Sequence, residues 1–331
     1  MNANKNLNTA RAGGASDEYY TSLHDIELVM QQYENAFAGK VVYCNCDNPL
    51  RSNFVRYFYE NFDKLKLKKL IASCYIKKTR GFLDTAPNKP ALFTEYAGGS
   101  SLPFPDGLKI QHLKGDGDFR SLESVKLLEQ CDVVVTNPPF SLFAEHVKQA
   151  VKHNKDFLVV GNINGVTYVG IIELLVAGKL FVVYNEEGML FEIPKELGKK
   201  KLAESCNSAF FQRGDTFFAK LETCIWFSNM QPASYPAPLE LVKTFDAEKY
   251  PKYDYFDDIY VDSLANIPKD YPGVMGVPVT LLRRLNPEQF EILGATFPAG
   301  KPKEFVDCGK MQPFLNGKPV YRRLLVRLQH S

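Results

Sequence analysis

The stretch DVVVTNPPF, Asp132–Phe140, decides how its part of the chain folds. Its run of valines is typical of a buried strand, and that strand ends abruptly at Asn137, Pro138, Pro139 and Phe140. Proline just beyond a strand can simply end it, because proline has no backbone N–H to donate to a neighbouring strand. The alternative is that the four residues carry chemistry, so the surrounding sequence must be weighed as well.

Segments on both sides of this strand alternate between helical and strand patterns. Helical spacing of apolar residues occurs in SNFVRYFYENFDKL, FRSLESVKLLEQC and FAEHVKQAVKHN, and strand patterns occur in VVYCNC, LIASCYI, KIQHLKG and FLVVGNI. Such alternation predicts parallel βαβ units in an α/β fold, with a doubly wound, mostly parallel sheet and helices on both faces. Sheets of this kind bind ligands at the carboxyl ends of their strands.

The two ends of the chain differ from this pattern. Residues 1–16 are polar and are predicted to form a disordered tail. The segment that follows, DEYYTSLHDIELVMQQYENAF, is amphipathic, and local rules place its helix start at Ser16 or Asp17. Its apolar side carries Ile26, Val29, Met30, Tyr33 and Phe37. After about residue 230 the sequence is rich in Pro, Tyr and Asp, so we predict one domain over 17–230 and a second region over 231–331.

Composition indicates an ordinary globular protein. Of 331 residues, 45% are hydrophobic and 24% charged, and the net charge of +2 does not by itself announce a nucleic-acid or membrane partner. The seven cysteines are scattered without zinc-site spacing, so we expect reduced thiols and no metal.

The apolar stretch from Phe157 to Tyr184 is interrupted by polar residues and predicts strand, turn, helix and strand rather than a membrane span. No signal peptide is evident, and we expect a cytoplasmic protein.

The quartet after the strand suits methyl transfer to an exocyclic amine. The nitrogen lone pair of such an amine is delocalised into its ring and is a poor nucleophile. The side-chain oxygen of Asn137 and the carbonyl of Pro138 can both accept its hydrogens, which favours a more nucleophilic nitrogen. Pro138 and Pro139 hold the backbone rigid, and Phe140 offers a face on which a base can stack.

A methyl donor would then be needed at neighbouring strand ends. The first strand is followed by Asp47-Asn48-Pro49, which on general rules is only a turn. The segment GDGDF is a better signal, since Asp118 could accept from an adenine amine and Phe119 could flank its ring. Asp118 or Ser121 could equally be the N-cap of the next helix, and both interpretations stay open here.

Taken together, the motifs resemble one known family. DEYYT, VVYCNCDNPLRSNF, GDGDFRS, DVVVTNPPFSLF, FLVVGNINGVTY, CIWFSN and GVPVTLLRRLNPEQFEILG are similar, in this order, to the EcoRI-type adenine-specific DNA methyltransferases. The resemblance implies a Rossmann-like catalytic domain dependent on S-adenosylmethionine and a C-terminal target-recognition region. It also implies transfer to adenine N6 in double-stranded DNA after base flipping.

The resemblance assigns residues motif by motif. Asn137, Pro138, Pro139 and Phe140 would hold the target adenine. The cofactor site would comprise Tyr19, Tyr20 and Thr21 beside the methionine part, Asp47, Ser52 and Asn53 after the first strand, and Asp118 and Phe119 at the cofactor adenine. Amino-methyltransferases in general carry DPxxGxG after the first strand, whereas this chain has DNPLRSN.

Candidate DNA contacts are the cationic runs of Lys199, Lys200 and Lys201 and of Arg322 and Arg323. A charge run is also typical of a solvated face, so this alternative stays open. We expect a monomer that acts on double-stranded DNA. A cognate restriction nuclease in the same system is compatible with this interpretation as a DNA methyltransferase, but no stable protein partner is implied.

Two kinds of alternative function remain at this stage. The same quartet could present cytosine N4, an RNA base or a protein glutamine for methylation. A catalytically silent DNA-binding protein could keep the fold without the reaction, and a plain interaction scaffold would fit the Tyr- and Pro-rich 231–260 stretch. Neither of the last two gives a reason for an intact quartet.

Overall fold

A computed structural model describes residues 19–76, 90–183, 188–204, 209–296 and 313–329. They form two compact units. Unit 1 takes in the described residues up to Pro138 and those of 188–222, and unit 2 takes in those of 139–183 and of 223–329. The tail expected over residues 1–16 lies outside the described residues.

Helices and strands alternate along most of the chain. The α-helices within the described ranges are α1 (Leu23–Met30), α2 (Asn53–Glu60), α3 (Leu122–Gln130), α4 (Phe143–Lys152), α5 (Ile172–Val176) and α6 (Lys195–Glu204). The strands are β1 (Tyr20–Thr21), β2 (Val41–Cys44), β3 (Lys69–Ser73), β4 (Leu92–Tyr96), β5 (Ile110–His112), β6 (Val133–Thr136), β7 (Asp156–Asn162), β8 (Phe181–Val183), β9 (Met189–Ile193), β10 (Phe210–Arg213), β11 (Thr216–Leu221), β12 (Cys224–Ser228), β13 (Lys252–Tyr253), β14 (Phe256–Tyr260), β15 (Met275–Pro278), β16 (Phe290–Ala295), β17 (Phe314–Leu315), β18 (Lys318–Pro319) and β19 (Arg323–Leu328).

Strand β2 is the centre of the parallel part of unit 1. It pairs in parallel with β3 on one side and with β6 on the other. All residues of β2 and β6 are buried, which explains why both strands are continuous apolar runs rather than alternating ones. Because the three strands run the same way, the loops that follow them leave from one edge of the sheet.

Outside this parallel core the pairing is antiparallel at several places. β4 pairs antiparallel with β3, and β5 pairs antiparallel with β4. In unit 2, β12 pairs antiparallel with both β7 and β8. The chain is therefore a mixed α/β protein, and the expected doubly wound, mostly parallel sheet is not confirmed. β4 was not predicted, because most of its residues are only partly buried and its sequence, LFTEY, lacks a clear period.

Helix α1 begins later than local rules place it. Its N-cap is Ser22, whose Oγ accepts a hydrogen bond from the backbone N–H of Asp25 at 3.1 Å. The predicted start at Ser16 or Asp17 is wrong, because β1 precedes the helix and pairs antiparallel with β9, which is distant in sequence. A local capping rule cannot detect such a pairing.

The apolar side predicted for this segment is confirmed. Ile26, Val29, Met30, Tyr33 and Phe37 are all buried. A short 3-10 helix over Gln31–Tyr33 directly follows α1 and carries the buried Tyr33.

A second sheet in unit 1 has the strand order β1-β9-β11-β10 and is antiparallel throughout. One of its faces packs against α6, through a core that joins Leu197 of the helix to Ile193, Phe210 and Phe217. Its β9, β10 and β11 come from residues 188–222, so this sheet joins the N-terminal strand β1 to a segment much later in the chain.

Unit 2 contains the longest apolar stretch of the sequence. The predicted strand, turn, helix and strand are confirmed as β7, a 3-10 helix over Ile163–Thr167, α5 and β8. No helix in the described ranges is long and apolar enough to span a membrane.

After about residue 230 the α/β alternation ends, as predicted. A five-stranded sheet follows with the order β13-β14-β15-β19-β16. Within 229–296 and 313–329, the chain forms strands and 3-10 helices but no α-helix. The domain boundary near residue 230 stays a prediction.

Gly117, in the loop that carries GDGDF, has a backbone conformation and a close packing that favour glycine. Its φ is +79°, and an added Cβ would lie 2.1 Å from the carbonyl oxygen of Cys74. Replacing Gly117 with Ala should therefore lower the free energy of unfolding by several kcal/mol, about 1 kcal/mol from the positive φ and the rest from the overlap. Urea unfolding followed by circular dichroism measures this change.

Gly39 is the matched control for that prediction. Its φ is +73°, but nothing lies within 4 Å of the position of an added Cβ. Gly39→Ala should cost only the conformational part, about 1 kcal/mol. Equal losses at the two glycines would contradict the role of close packing at Gly117.

Candidate functional site

The site is organised around the edge of the short strand β1 that does not face β9. Residues 20 and 22 face β9, as shown by the hydrogen bond from Ser22 N–H to the carbonyl of Leu190 at 2.9 Å. Backbone groups alternate in direction along a strand, so the carbonyls of Tyr19 and Thr21 point away from β9. Each of these two carbonyls accepts a hydrogen bond from an asparagine side chain.

Asn137, the first residue of the quartet, is one of these asparagines. Its Nδ2 donates to the carbonyl oxygen of Tyr19 at 3.2 Å. This bond fixes the orientation of the amide and leaves Oδ1 as an acceptor. Oδ1 is buried and has no hydrogen-bond partner among the described residues. A buried acceptor without a donor is costly, so this oxygen is a candidate ligand-binding atom.

Asn53, at the start of α2, is the other asparagine. Its Nδ2 donates to the carbonyl oxygen of Thr21 at 3.0 Å and to Oε1 of Glu192 at 3.1 Å. Both amide hydrogens are thereby used, and the side-chain oxygen of Asn53 is again left as an acceptor. The loops after β2 and β6 therefore present two amide oxygens held by one strand edge.

Thr21 contributes a third polar atom of this kind. Its side chain is 2% exposed, and in the described chain its Oγ1 has no hydrogen-bond partner. The Tyr19–Thr21 segment thus serves the site through both its backbone and a buried hydroxyl.

Asp47 joins the loop after β2 to the end of β6. Its Oδ1 accepts from Ser52 Oγ at 2.6 Å, and its Oδ2 accepts from Thr136 Oγ1 at 2.5 Å. A backbone hydrogen bond from Asn137 also reaches this carboxylate. Burial raises the pKa of Asp47 to about 6, although these three hydrogen bonds act in the opposite direction. This hydrogen-bond network holds Asn137 next to the loop that follows β2.

The GDGDF segment lies after β5. Asp118 accepts two hydrogen bonds at Oδ1 and Oδ2 from the guanidinium of Arg120, at 3.0 and 2.7 Å, and this lowers the pKa of Asp118 below its usual range. Phe119 is buried. Ser121 is the N-cap of α3, because its Oγ accepts from the N–H of Ser124 at 3.2 Å. Ser121, and not Asp118, is therefore the N-cap, and the cofactor role of Asp118 and Phe119 stays a prediction.

The rest of the quartet crosses from unit 1 to unit 2. Pro138 is buried, whereas Pro139 is exposed and Phe140 is partly exposed. The carbonyl of Pro139 accepts from the N–H of Leu142 at 2.8 Å, which begins the 3-10 helix Phe140–Leu142. Pro139 therefore ends the extended segment and starts the turn into α4, and Phe140 is the first residue of that turn.

Comparison with known proteins matches almost the whole chain. The family model described as adenine-specific methyltransferase EcoRI matches residues 6–328. The chain belongs to the EcoRI family of adenine-specific methyltransferases.

Curated relatives agree with this membership. The chain is 39% identical to the type II methyltransferase M.EcoRI of Escherichia coli, over 98% of this chain and 96% of the relative. It is 34% identical to the type II methyltransferase M.MgeORF184P of Mycoplasma genitalium, over 95% and 96%. It is 36% identical to the type II methyltransferase M.MpnI of Mycoplasma pneumoniae, over 84% and 82%. No solved structure matches the chain.

The cationic residues expected to bind DNA have different environments in this methyltransferase. Lys199 and Lys200 are exposed on α6 and lie 3.9 Å from Glu196 and Glu204, respectively. Lys201 Nζ lies 5.9 Å from the centroid of the Phe210 ring. These contacts are those of a solvated helix face, and a role of the three lysines in DNA binding stays a prediction.

The two C-terminal arginines also make contacts within the chain. Arg322 donates to Thr167 Oγ1 at 3.2 Å. Arg323 donates to the hydroxyl of Tyr260 at 2.8 Å, and its guanidinium carbon lies 5.0 Å from the centroid of that ring. Arg323 therefore links β19 to β14, and the DNA contacts expected of Arg322 and Arg323 stay predictions.

Sequence reasoning missed two residues of the site. Thr136 was quoted as part of a strand end, but its hydroxyl both donates to Asp47 and accepts from the N–H of Cys46 at 3.2 Å. Glu192 lies in β9, where buried and partly exposed residues alternate, so its partly exposed position could have been read from the strand pattern. Its approach to Asn53 could not, because the two are 139 residues apart.

The described residues contain no group of three His, Cys, Asp or Glu side chains placed to hold a metal ion. Among the described residues, Cys44, Cys46, Cys74, Cys131 and Cys224 are free thiols.

Asp47 makes the stability of the protein depend on pH. Because its pKa in the folded state is about 6 and lies above that of an unfolded Asp, its contribution is most favourable below the unfolded pKa and is lost as the pH rises through about 6. The unfolding free energy of wild type minus that of Asp47→Asn should therefore fall by roughly 2 kcal/mol between about pH 4.5 and about pH 8.

Denaturant titrations of both proteins at the two pH values test this prediction. Using the difference cancels the titration of all other carboxyl groups that the two proteins share. A difference that rises with pH would contradict a raised pKa at Asp47.

Proposed function

We propose that this chain is a DNA methyltransferase that uses S-adenosylmethionine to methylate N6 of an adenine turned out of the double helix. The family is adenine-specific, and the curated relatives are named type II methyltransferases. The observation that carries the proposal is the buried, unpartnered Oδ1 of Asn137, since the amide nitrogen is already committed to Tyr19. An adenine amine would supply the missing donor.

The chemistry follows from the placement of acceptors. Asn137 Oδ1 and the carbonyl of Pro138 would each accept one hydrogen of the adenine amine, drawing its lone pair out of conjugation with the ring. S-Adenosylmethionine supplies, when bound, a methyl group on a positively charged sulfur. After transfer, one amine hydrogen leaves to water as a proton, so the amine ends neutral with one methyl and one hydrogen. Positioning provides most of the rate, and no strong side-chain base is required.

The residues assigned to the cofactor suit its methionine part. Thr21 Oγ1 is buried without a partner in the described chain, and the side-chain oxygen of Asn53 is oriented as an acceptor. A hydroxyl and an amide oxygen are suitable partners for an ammonium group, and the hydroxyl can also donate to a carboxylate. Tyr19 and Tyr20 flank these groups in sequence. We propose that Asp47 and Ser52 act by holding the loop that carries Asn53.

The adenine end of the cofactor is proposed to lie at Asp118 and Phe119. Phe119 is buried and Asp118 is paired with Arg120, so the pair offers a ring and a charged, oriented carboxylate. The three parallel strands β3, β2 and β6, with candidate functional loops after β2 and β6, support a Rossmann-like arrangement of this part of the chain.

We also propose which region recognises the target, where the enzyme acts and in which oligomeric state. Residues 231–331 form the target-recognition region, Phe140 stacks on the flipped base, and the enzyme acts as a cytoplasmic monomer. Transfer to cytosine N4, an RNA base or a glutamine amide uses the same acceptors but does not agree with an adenine-specific family. A silent DNA-binding protein gives no reason for the intact quartet.

Replacing Asn137 tests the reaction and its central residue. Asn137→Ala should lower methyl transfer to unmodified genomic DNA by about 100- to 1,000-fold, because the acceptor that polarises the amine is lost. Asn137→Asp keeps an acceptor and loses the donor to Tyr19, so its activity should lie between the two. Digestion of the DNA to nucleosides and mass spectrometry measure N6-methyladenosine directly.

Asn61 provides the matched control for this series. Its Nδ2 donates to a backbone carbonyl, that of Tyr57, at 2.9 Å, as Asn137 does to that of Tyr19, but it lies at the end of α2. Asn61→Ala should keep full activity. N4-methylcytosine in place of N6-methyladenosine would overturn the acceptor, and full activity of Asn137→Ala would overturn the mechanism.

Two buried threonines distinguish cofactor binding from stability. Thr21→Val removes a hydroxyl that has no partner within the described residues, so the free energy of unfolding should not fall, whereas affinity for S-adenosylmethionine should weaken about tenfold. Calorimetric titration with the cofactor and urea unfolding of the free protein measure the two effects.

Thr136→Val is the contrasting variant. It removes a donor to the buried Asp47 carboxylate, so it should lower stability by about 1–3 kcal/mol. If Thr21→Val instead lowered stability and left cofactor affinity unchanged, Thr21 would be a structural residue and not part of the cofactor site.

A further inference from the structure

The four-stranded sheet β1-β9-β11-β10 has two different faces. Residues paired directly across an antiparallel sheet project to the same side. The side that includes Phe191, Phe217 and Phe210 is buried and packs against α6. The opposite side, here called the outer face, is partly or fully exposed and consists of Tyr20, Leu190, Glu192, Phe211, Arg213, Thr216, Phe218 and Lys220.

Two phenylalanines on the outer face form a partly exposed aromatic surface. Phe211 and Phe218 lie directly opposite each other, with ring centroids 5.6 Å apart and an angle of 17° between the ring planes. Neither side chain is fully buried, although phenylalanine is among the residues most often buried. Nearly parallel, partly exposed rings on a sheet are a surface on which planar nucleobases can stack.

A cation adjoins this aromatic pair. The guanidinium carbon of Arg213 lies 5.1 Å from the centroid of the Phe211 ring, and the residue is exposed. In the part of the chain that the structure describes, Arg213 makes no ion pair with a carboxylate. The acidic residue of the outer face, Glu192, is hydrogen-bonded to Asn53. A cation beside stacked rings is complementary to the phosphates and bases of a nucleic acid.

The outer face is continuous with the candidate site. Tyr20, Glu192, Phe218 and Phe211 are successive cross-strand neighbours from β1 to β10. Three strand spacings of about 4.8 Å separate the ends of this row, or about 14 Å in all. The row begins at the residue between Tyr19 and Thr21, whose carbonyls hold Asn137 and Asn53.

We propose that the outer face is part of the DNA-binding surface, where Phe211 and Phe218 stack on bases of the substrate beside the target adenine and Arg213 contacts a phosphate. This inference rests on the proposed function and adds to it a surface outside the C-terminal region. Base stacking suits strands that are locally unpaired, as they are where one nucleotide is turned out of a duplex.

Binding measurements on single variants test the proposal. The probe is a fluorescent random-sequence DNA duplex, with S-adenosylhomocysteine present, and the readout is fluorescence anisotropy. Phe211→Ala and Phe218→Ala should each weaken DNA binding about tenfold and leave affinity for S-adenosylhomocysteine unchanged. Arg213→Ala should reduce the slope of log Kd against log salt by about 0.9.

Gln212 is the matched control. It lies between Phe211 and Arg213 in β10, is exposed, and projects to the opposite side of the sheet. Gln212→Ala should bind DNA as wild type does. Since Arg213 is exposed, its variant keeps the test valid even if a phenylalanine variant is unstable in thermal unfolding.

The outcomes separate this proposal from the proposed function. If wild type methylates DNA and the three outer-face variants bind it within twofold of wild type, the outer-face proposal is wrong and the function stands. If wild type transfers no methyl group to DNA, the function fails, and with it this proposal. Weakened binding to single-stranded RNA but not to duplex DNA would also overturn the proposal.

Discussion

The two side-chain amides that donate to the edge of β1 opposite β9 are the constraint on which the site depends. Strand β1 is two residues long, yet the carbonyls on either side of Tyr20 receive Asn137 and Asn53. An amide whose nitrogen is committed to a carbonyl must present its oxygen elsewhere. One strand edge therefore orients the acceptor proposed for the target base and the one proposed for the cofactor.

This strand edge is itself held by distant parts of the chain. β9 pairs with β1 on its other side, and Glu192 of β9 takes the second amide hydrogen of Asn53. Residues 188–222 thus have a role in the site although they follow the quartet by about fifty residues in the sequence. The same sheet packs against α6 on one face and carries the partly exposed Phe211 and Phe218 on the other, which connects the strand edge to a proposed substrate surface.

A buried carboxylate adds a second link between the loops. Burying Asp47 is unfavourable for its charged form, and its raised pKa expresses that cost. Hydrogen bonds from Ser52 and Thr136 to this carboxylate offset part of the cost. They also connect the loop after β2 to the end of β6. A polar network of this kind has few alternative arrangements, because each lost hydrogen bond leaves a buried polar atom unsatisfied. Rigidity near Asn137 follows from this requirement.

Much of the fold and of the candidate site could be predicted from the sequence alone, because apolar runs, helical spacing and short motifs are local features of the chain. Continuous apolar runs predicted β2, β6 and β7, helical spacing predicted the buried side of α1, and the NPPF quartet pointed to an amine as the group to be methylated. The pairing of β1 with β9, the antiparallel β4, and the contacts of Thr136 and Glu192 were decided only by the tertiary structure. Each depends on residues far apart in the chain, where the hydrogen-bond partner of a backbone carbonyl or a side-chain amide leaves no mark on the local pattern.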